Sequence, residues 1–232
     1  SSDASDERLK PGFPACTLDG MIRRFLIFSA VLTAASIAIS GCTPSGSDSD
    51  RGRLSIHLNS EPVTLDPSRV EDGLGIRVIV NVMDGLMTFN SRGELEKRLA
   101  KSLEISPDFR KVKAVIRDDA VWSDGVPVDA SQIELGIERA LRPESGSKLS
   151  GLLQWIDGAE EYRSGKAKRV SGIRASGKTI EFRLTKPISF FDQVLALPIT
   201  YPLRKDVLEA NSGKWDPLRG KNVPTDGAYR IR

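Results

Sequence analysis

Histidine and cysteine are scarce in this 232-residue sequence, and their scarcity excludes several kinds of chemistry. There is one histidine, His57, and there are two cysteines, Cys16 and Cys42. A cysteine-based zinc site needs several thiolates at fixed spacing, so we predict no metal site. A Ser-His-acid triad would require His57, which lies on the polar face of a predicted strand at 54–58, with no serine elbow near it.

Cofactor and nucleic-acid signatures are also missing. No glycine-rich loop leads from a strand into a helix, so we predict no cofactor. The net charge is only +3, and the basic residues are scattered among acidic ones. We therefore predict no nucleic-acid partner. The hydrophobic fraction of 39% and the charged fraction of 28% are those of an ordinary globular protein.

The longest apolar run is too short for a permanent membrane span. Arg23 and Arg24 precede about 15 apolar residues, whereas a spanning helix needs roughly 20. The run ends in Ile-Ser-Gly-Cys, which resembles the bacterial lipobox. We predict a lipoprotein signal peptide at 21–41, cleavage before Cys42 and lipidation of Cys42. The mature protein would then be anchored to a membrane on its periplasmic or cell-surface side.

The segments beside the signal peptide have no apolar periodicity. We interpret 1–20 as an upstream segment outside the mature protein, which leaves Cys42 as the single cysteine and excludes an internal disulfide. Residues 42–52 are rich in Pro, Ser, Gly and Asp and predict a flexible tether. From residue 53 onward the pattern is mixed α and β, without internal repeats.

The periodicity of the remaining chain predicts individual elements. We expect strands at 54–58 and 111–117, and a hairpin at 171–185 with its turn at Ser176-Gly177. We expect helices at 76–86, 94–103, 148–162 and 206–210.

The stretch DDAVWSDGVPVDASQIELGIERAL, residues 118–141, predicts a structural corner. Asp124-Gly125 is a turn pair, and Asp129 with Gln132 three residues later forms a capping-box-like helix start. Trp122 is expected to pack over the turn. This interpretation accounts for the whole stretch without a catalytic role.

The alternative for the same stretch is an exported hydrolase that uses paired carboxylates. Its candidates are Asp118, Asp119, Asp124 and Asp129. Such catalysis needs two carboxyl groups on opposite sides of a reacting atom, commonly with separated pKa values. Adjacent acids on a turn do not favour that arrangement, so we predict no catalytic residue and no enzyme activity.

Five motifs in the same order resemble one family. They are EPVTLDP at 61–67, VMDGLMTFNSRGELEKRLAKSLEISPDF at 82–109, the stretch at 118–141, ISFFDQVLALPITYPLRKDVLE at 188–209 and VPTDGAYRIR at 223–232. Together they are similar to the bacterial oligopeptide- and dipeptide-binding proteins, the extracytoplasmic receptors of peptide-importing ABC transporters. The resemblance covers essentially all of residues 53–232.

The resemblance implies an α/β fold, the N-terminal part of a two-lobed periplasmic-binding-protein type II fold. Family members are much longer chains, so the second lobe is expected to be missing here. The implied organisation is a first segment of lobe I at 53–83, an inserted α/β domain of the same lobe at 84–203, and a truncated return segment of lobe I at 204–232.

The resemblance also implies a ligand site and partners. The family holds peptides as extended strands through main-chain hydrogen bonds, and the residues after the LDP motif that would supply them are Glu71, Asp72 and Gly73. The alternative is that these three form only a polar loop before a helix. The implied partners are a peptide ligand and the permease subunits of an ABC transporter. The ligand stays open among peptides, nickel complexes, haem and sugars. It also stays open whether the chain is a short protein or a truncated gene product, and a gene fragment without independent activity is the other alternative to a binding protein.

Overall fold

The structure is a computed structural model that describes residues 55–216 and 223–231. The upstream segment, the signal peptide, Cys42 and the whole tether region lie outside these residues. Backbone contacts divide the chain into Ser1–Ile56 and His57–Arg232. In the first unit only Ser55 and Ile56 are described, and both are exposed. The fold below is that of the second unit.

The second unit contains helices and two antiparallel sheets. The helices are α1 (Gly73–Val82), α2 (Ala130–Leu141), α3 (Ala159–Arg163), α4 (Phe191–Val194) and α5 (Lys205–Ala210), with 3-10 turns at Pro143–Ser145, Lys148–Leu153 and Pro198–Thr200. The strands are β1 (Met87–Phe89), β2 (Leu95–Lys97), β3 (Ala100–Ile105), β4 (Lys111–Ile116), β5 (Ile173–Ser176) and β6 (Thr179–Arg183). β1 pairs with β2, and the other four strands form one sheet in the order β3-β4-β6-β5.

The four-stranded sheet has one buried face and one solvent face. In its two central strands, Val112 lies opposite Phe182 and Ala114 lies opposite Ile180, and all four side chains are buried. Lys111 and Lys113, which alternate with Val112 and Ala114 along β4, are exposed. This alternation is the period of two that a half-buried strand requires.

The start of α2 is fixed by the predicted capping box. The Asp129 carboxylate accepts hydrogen bonds from the backbone N–H groups of Ser131 and Gln132 at 2.8 and 3.2 Å. The Gln132 side chain accepts in return from the Asp129 N–H at 3.3 Å and from the Trp122 indole at 2.8 Å. The prediction of a capped helix beside a tryptophan corner is confirmed.

Several predicted elements are confirmed and others are wrong. β4, the β5–β6 hairpin and α5 occur where expected. The predicted helix at 94–103 is wrong, because this segment forms β2 and the beginning of β3. Among residues 55–58 no strand forms and Ile56 is 60% exposed, since no described strand pairs with them. The helix expected at 76–86 runs instead from Gly73 to Val82, and that expected at 148–162 is divided into a 3-10 turn and α3.

Residues 223–231 pack against the end of α1 and against the tryptophan corner. The Gly227 N–H donates to the Val82 carbonyl at 3.0 Å, and the Tyr229 N–H donates to the Asn81 carbonyl at 3.1 Å. The Ser123 N–H donates to the Thr225 carbonyl at 2.7 Å. These contacts place Asp226 in the interior, beside the residues that follow α1. The domain boundaries at residues 83/84 and 203/204 stay a prediction.

Candidate functional site

The loop that leads into α1 is held by a buried ion pair. Arg139 of α2 donates to both oxygens of the Asp66 carboxylate, at 2.7 and 2.6 Å. Asp66 also accepts from the Ser68 N–H at 3.0 Å. Only 7% of the Asp66 side chain and 14% of the Arg139 side chain are exposed. A bidentate pair of this kind fixes the orientation of the loop as well as its position.

The three predicted ligand residues follow this loop and form the start of α1. Asp72 is the N-cap, and its Oδ1 accepts from the Gly75 N–H at 2.7 Å. Glu71 is exposed and pairs with Lys148 at 2.7 Å. Gly73 is the first helical residue, and a Cβ atom added to it would meet no atom within 4 Å. The structure therefore brings the three residues together at an open helix start.

This helix start offers hydrogen-bonding groups suited to a main-chain ligand. The N–H groups of the first turn have no partner inside a helix, and Asp72 satisfies one of them, that of Gly75. The second carboxylate oxygen of Asp72 is buried and has no hydrogen-bond partner among the described residues. Open space beside Gly73 lets another chain approach the backbone. The assignment of Glu71, Asp72 and Gly73 to peptide binding stays a prediction.

The four acids of the tryptophan corner do not form a carboxylate pair. Asp118 bonds to Lys101 at 2.9 Å and Asp119 to Arg117 at 3.1 Å. Asp124 bonds to Arg204, and Asp129 caps α2. Each acid has its own structural partner, which leaves the hydrolase alternative without its proposed pair.

The electrostatics of the corner agree with this geometry. The hydrogen bond and the charge of Lys101 hold the pKa of Asp118 below its ordinary value. A general acid requires the opposite shift, so that its proton is available near neutral pH.

The turn of the corner depends on its glycine. Gly125 adopts φ +88°, which only glycine takes without strain, and its N–H donates to the Trp122 carbonyl at 2.8 Å. The prediction of a structural corner is confirmed.

The single histidine, His57, is exposed in the segment without strand structure. Within residues 55–216 and 223–231, no three or more His, Cys, Asp and Glu side chains are grouped so that they could hold a metal ion.

A buried cluster of polar side chains was not predicted from the sequence. Asp84 and Asp226 are 5% and 6% exposed, and the Asp84 N–H donates to Asp226 Oδ1 at 3.3 Å. Arg98 Nε donates to the Asp84 carboxylate at 2.9 Å. Each aspartate precedes a glycine in the sequence, a pattern that is also typical of exposed turns, so the local sequence gives no sign of burial.

Burial sets the protonation of this cluster. It raises the pKa of Asp226 well above the ordinary value, and the nearby charge of Asp84 raises it further. It also raises the pKa of Asp84, although the hydrogen bond and charge of Arg98 oppose that shift. The Tyr201 phenol has a raised pKa for the same reason, with added effects from both aspartates. A carboxyl without access to solvent is suited to a structural role.

Comparison with known proteins places this chain in a family. The family described as bacterial extracellular solute-binding proteins, family 5 Middle, matches residues 94–232. The chain therefore belongs to the bacterial extracellular solute-binding proteins of family 5. Its α/β architecture is part of the periplasmic-binding-protein type II fold.

Individual relatives agree with this assignment. The oligopeptide-binding protein OppA of Bacillus subtilis is 29% identical over 215 residues, which is 91% of this chain and 39% of the relative. The crystal structure of a periplasmic oligopeptide-binding protein (OppAIV) from Borrelia burgdorferi is similar with a TM-score of 0.68 and 34% identity, covering 74% of this chain and 35% of that one. Haemophilus influenzae OppA in complex with the peptide RPPGFSPFR has a TM-score of 0.68 and 27% identity, covering 74% and 34%.

This chain is shorter than each of the relatives that it matches. It spans about 39% of the length of the curated relative and about a third of the solved chains. Among the residues that the structure describes, no helix is long and apolar enough to cross a membrane.

Proposed function

We propose that this chain is part of a solute-binding protein that delivers peptides to an ABC importer. The observation that carries the proposal is the open start of α1, where Glu71, Asp72 and Gly73 lie together on a loop fixed by Asp66 and Arg139. An extended peptide bound there would accept hydrogen bonds from the first-turn N–H groups that Asp72 leaves without a partner. Main-chain bonds of this kind give affinity with little preference for side chains.

The partners follow from the same proposal. Permease subunits of the importer receive the peptide, and no catalytic group takes part. Lipidation of Cys42 would hold the protein at the membrane that contains the permease, with residues 42–52 as the tether. This arrangement is supported by the sequence of the signal region, all of which lies outside the described residues.

The affinity of this chain for peptides should be low. We propose that the full ligand site lies between two lobes, and this chain spans well under half the length of its curated relative. A site open to water on one side gains little from each hydrogen bond, because water replaces the ligand groups at almost equal free energy. We expect a dissociation constant around millimolar or weaker, a binding free energy near −4 kcal/mol.

Calorimetry with mixed tri- to pentapeptides tests this proposal. Weak, saturable binding to this chain supports it. Micromolar binding would show that the site is complete within these residues and that our account of the second lobe is wrong. Absence of any peptide binding, even at the highest soluble concentration, would favour the alternative that this chain alone is a gene fragment without independent activity.

A further inference from the structure

The solvent face of the four-stranded sheet contains a groove of about 430 Å³. It lies on the opposite face from the buried side chains of β4 and β6. Four basic and two acidic side chains line it: Lys111, Lys113, Arg174, Arg183, Glu104 and Glu181. The strand register arranges these charges in one row across all four strands and a second row across the two central strands.

The first row is balanced in charge. It runs across all four strands, with Glu104 opposite Lys113, Lys113 opposite Glu181, and Glu181 opposite Arg174. The sign alternates at every step, and Lys113 forms an ion pair with Glu181 at 3.2 Å. Opposite charges on neighbouring strands stabilise a sheet, so this row has a sufficient structural explanation.

The second row places two cations directly opposite each other. Lys111 of β4 is the register partner of Arg183 of β6. Like charges in this position destabilise a sheet. Asp157 offsets only part of the positive charge of this pair. It binds the Nε and Nη2 atoms of Arg183 at 2.8 and 2.7 Å, and Nη1 of Arg183 has no bond in the described structure.

The remaining acid near this row is already engaged. Asp108, in the turn between β3 and β4, accepts from the Ser106 hydroxyl at 2.5 Å and from the Arg110 N–H at 3.2 Å. In residues 55–216 and 223–231, the side chains of Lys111 and Arg174 make no ion pair and no hydrogen bond. The groove thus has three cationic donors available on one side of the sheet: Lys111 Nζ, Arg183 Nη1 and the Arg174 guanidinium.

We propose that this groove binds an oxyanion of the phosphate type, held chiefly between Lys111 and Arg183. A phosphate monoester carries close to two negative charges and three strong acceptor oxygens, which suit several cationic donors on one face of the sheet. Its charge relieves the repulsion between the two cations. The phosphodiester of a lipid headgroup offers the same kind of acceptor, with one negative charge and two free oxygens in place of two charges and three oxygens. The site is separate from the start of α1 and does not depend on peptide binding.

Titration of the ¹⁵N-labelled chain with sodium phosphate, at ionic strength held constant with sodium chloride, tests the proposal. Saturable shifts are expected at the amides of Lys111, Gly172 and Arg183. Lys111→Gln removes one charge-assisted hydrogen bond and should weaken binding at least about fivefold. The control is Lys97→Gln, at an exposed lysine of β2 outside the groove, which should leave binding unchanged. No saturable shift, or equal affinity in Lys111→Gln, would overturn the proposal.

Thermal melts separate binding from simple loss of stability. In chloride alone, Lys111→Gln should melt no lower than the wild type, because the substitution removes a like-charge pair. Phosphate should then raise the midpoint of the wild type more than that of the variant, since a ligand stabilises the state that binds it. An equal rise in both proteins contradicts the proposed site.

A competition arm identifies the source of the phosphate group. Vesicles of phosphatidylglycerol and phosphatidylcholine in equal parts are added to the phosphate-loaded protein, with pure phosphatidylcholine vesicles as the reference. Displacement of phosphate by the anionic vesicles, lost in Lys111→Gln, supports a lipid headgroup as the ligand. Retention of phosphate supports a free phosphate compound.

Discussion

Asp84 and Asp226 are separated by 142 positions in the sequence and are joined by a hydrogen bond from the Asp84 N–H to Asp226 Oδ1. Both carboxyls are buried, and the second oxygen of Asp226 has no partner among the described residues. An ionised carboxylate in this position would be costly, which is why burial raises its pKa. The contact attaches residues 223–231 to the chain that leaves α1.

The first prediction concerns the pH dependence of folding. The unfolded chain ionises Asp226 near the ordinary pKa of an aspartate, about 3.9, whereas the folded chain keeps the proton to a higher pH. The folded state therefore binds more protons in between, and stability falls as pH rises from about 4 through the raised pKa. Asp226→Asn keeps an acceptor oxygen without the ionisation and should remove this part of the slope.

Urea unfolding at a series of pH values between about 4 and 8 measures this effect. We expect Asp226→Asn to be more stable than the wild type at the upper end of the range. Glu209→Gln, at a side chain that is 67% exposed, serves as the control and should keep the wild-type slope. Identical pH profiles for Asp226→Asn and the wild type would show that Asp226 is not held protonated.

The second prediction concerns the tryptophan corner. Gly125→Val should lower the free energy of unfolding by about 1 kcal/mol or more, because valine resists the positive φ of this position. Asp118→Asn should be nearly neutral, since this acid is exposed and pairs only with an exposed lysine. Thermal melts of both variants check this. A folded Asp118→Asn protein that loses a measurable hydrolytic activity would support the enzyme alternative.

The third prediction concerns the ion pair that fixes the loop before α1. Arg139→Met leaves the buried Asp66 carboxylate without its partner and should cost about 3 kcal/mol of stability. The matched control is Arg92→Met, which breaks the Arg92–Glu94 pair, where 77% and 59% of the side chains are exposed. This control should change stability by less than about 1 kcal/mol. Similar losses of stability in the two variants would mean that burial of the Asp66–Arg139 pair adds nothing to the free energy of unfolding.

The fourth prediction concerns processing of the N-terminal region. We expect cleavage before Cys42 and acylation of its thiol and amine, because a basic segment, a short apolar run and Ile-Ser-Gly-Cys occur in order. Mass spectrometry of membrane fractions detects the modified N-terminus. Cys42→Ala should release the protein from the membrane or leave it uncleaved, and an intact N-terminus at Met21 in the mature protein would refute the prediction.

Local signals in the sequence were sufficient for some elements. The capping box of Asp129 and Gln132 and the turn of the β5–β6 hairpin are each determined by residues within a few positions of one another. The turn, predicted at Ser176-Gly177, lies one residue later, at Gly177-Lys178, because Ser176 still pairs with Thr179. Gly177 has φ +56°, as the tight turn requires. Such features depend on backbone geometry and on hydrogen bonds between residues that are close in sequence, so the sequence alone predicts them.

Other elements depend on distant partners. Leu95, Leu99 and Leu103 are spaced by four, which fits one face of a helix but is also a multiple of the strand period of two. Pairing with β1 and β4 decides the outcome in favour of strands. The Asp84–Asp226 contact also joins residues far apart in the sequence, so no local pattern predicts it. The candidate site was located by family resemblance, and the ion pair with Arg139 that holds its loop became evident only in the structure.

The central claim is that a peptide binds at the start of α1, and nuclear magnetic resonance of this chain with mixed tri- to pentapeptides tests it most directly. We expect saturable shifts centred on the amides of Glu71, Gly73 and Leu74. Gly73→Leu should abolish them while the fold stays intact, because the space beside this glycine is open. Ala210→Leu, at the exposed end of α5, should bind as the wild type does. Saturable shifts elsewhere that Gly73→Leu leaves unchanged would contradict the account.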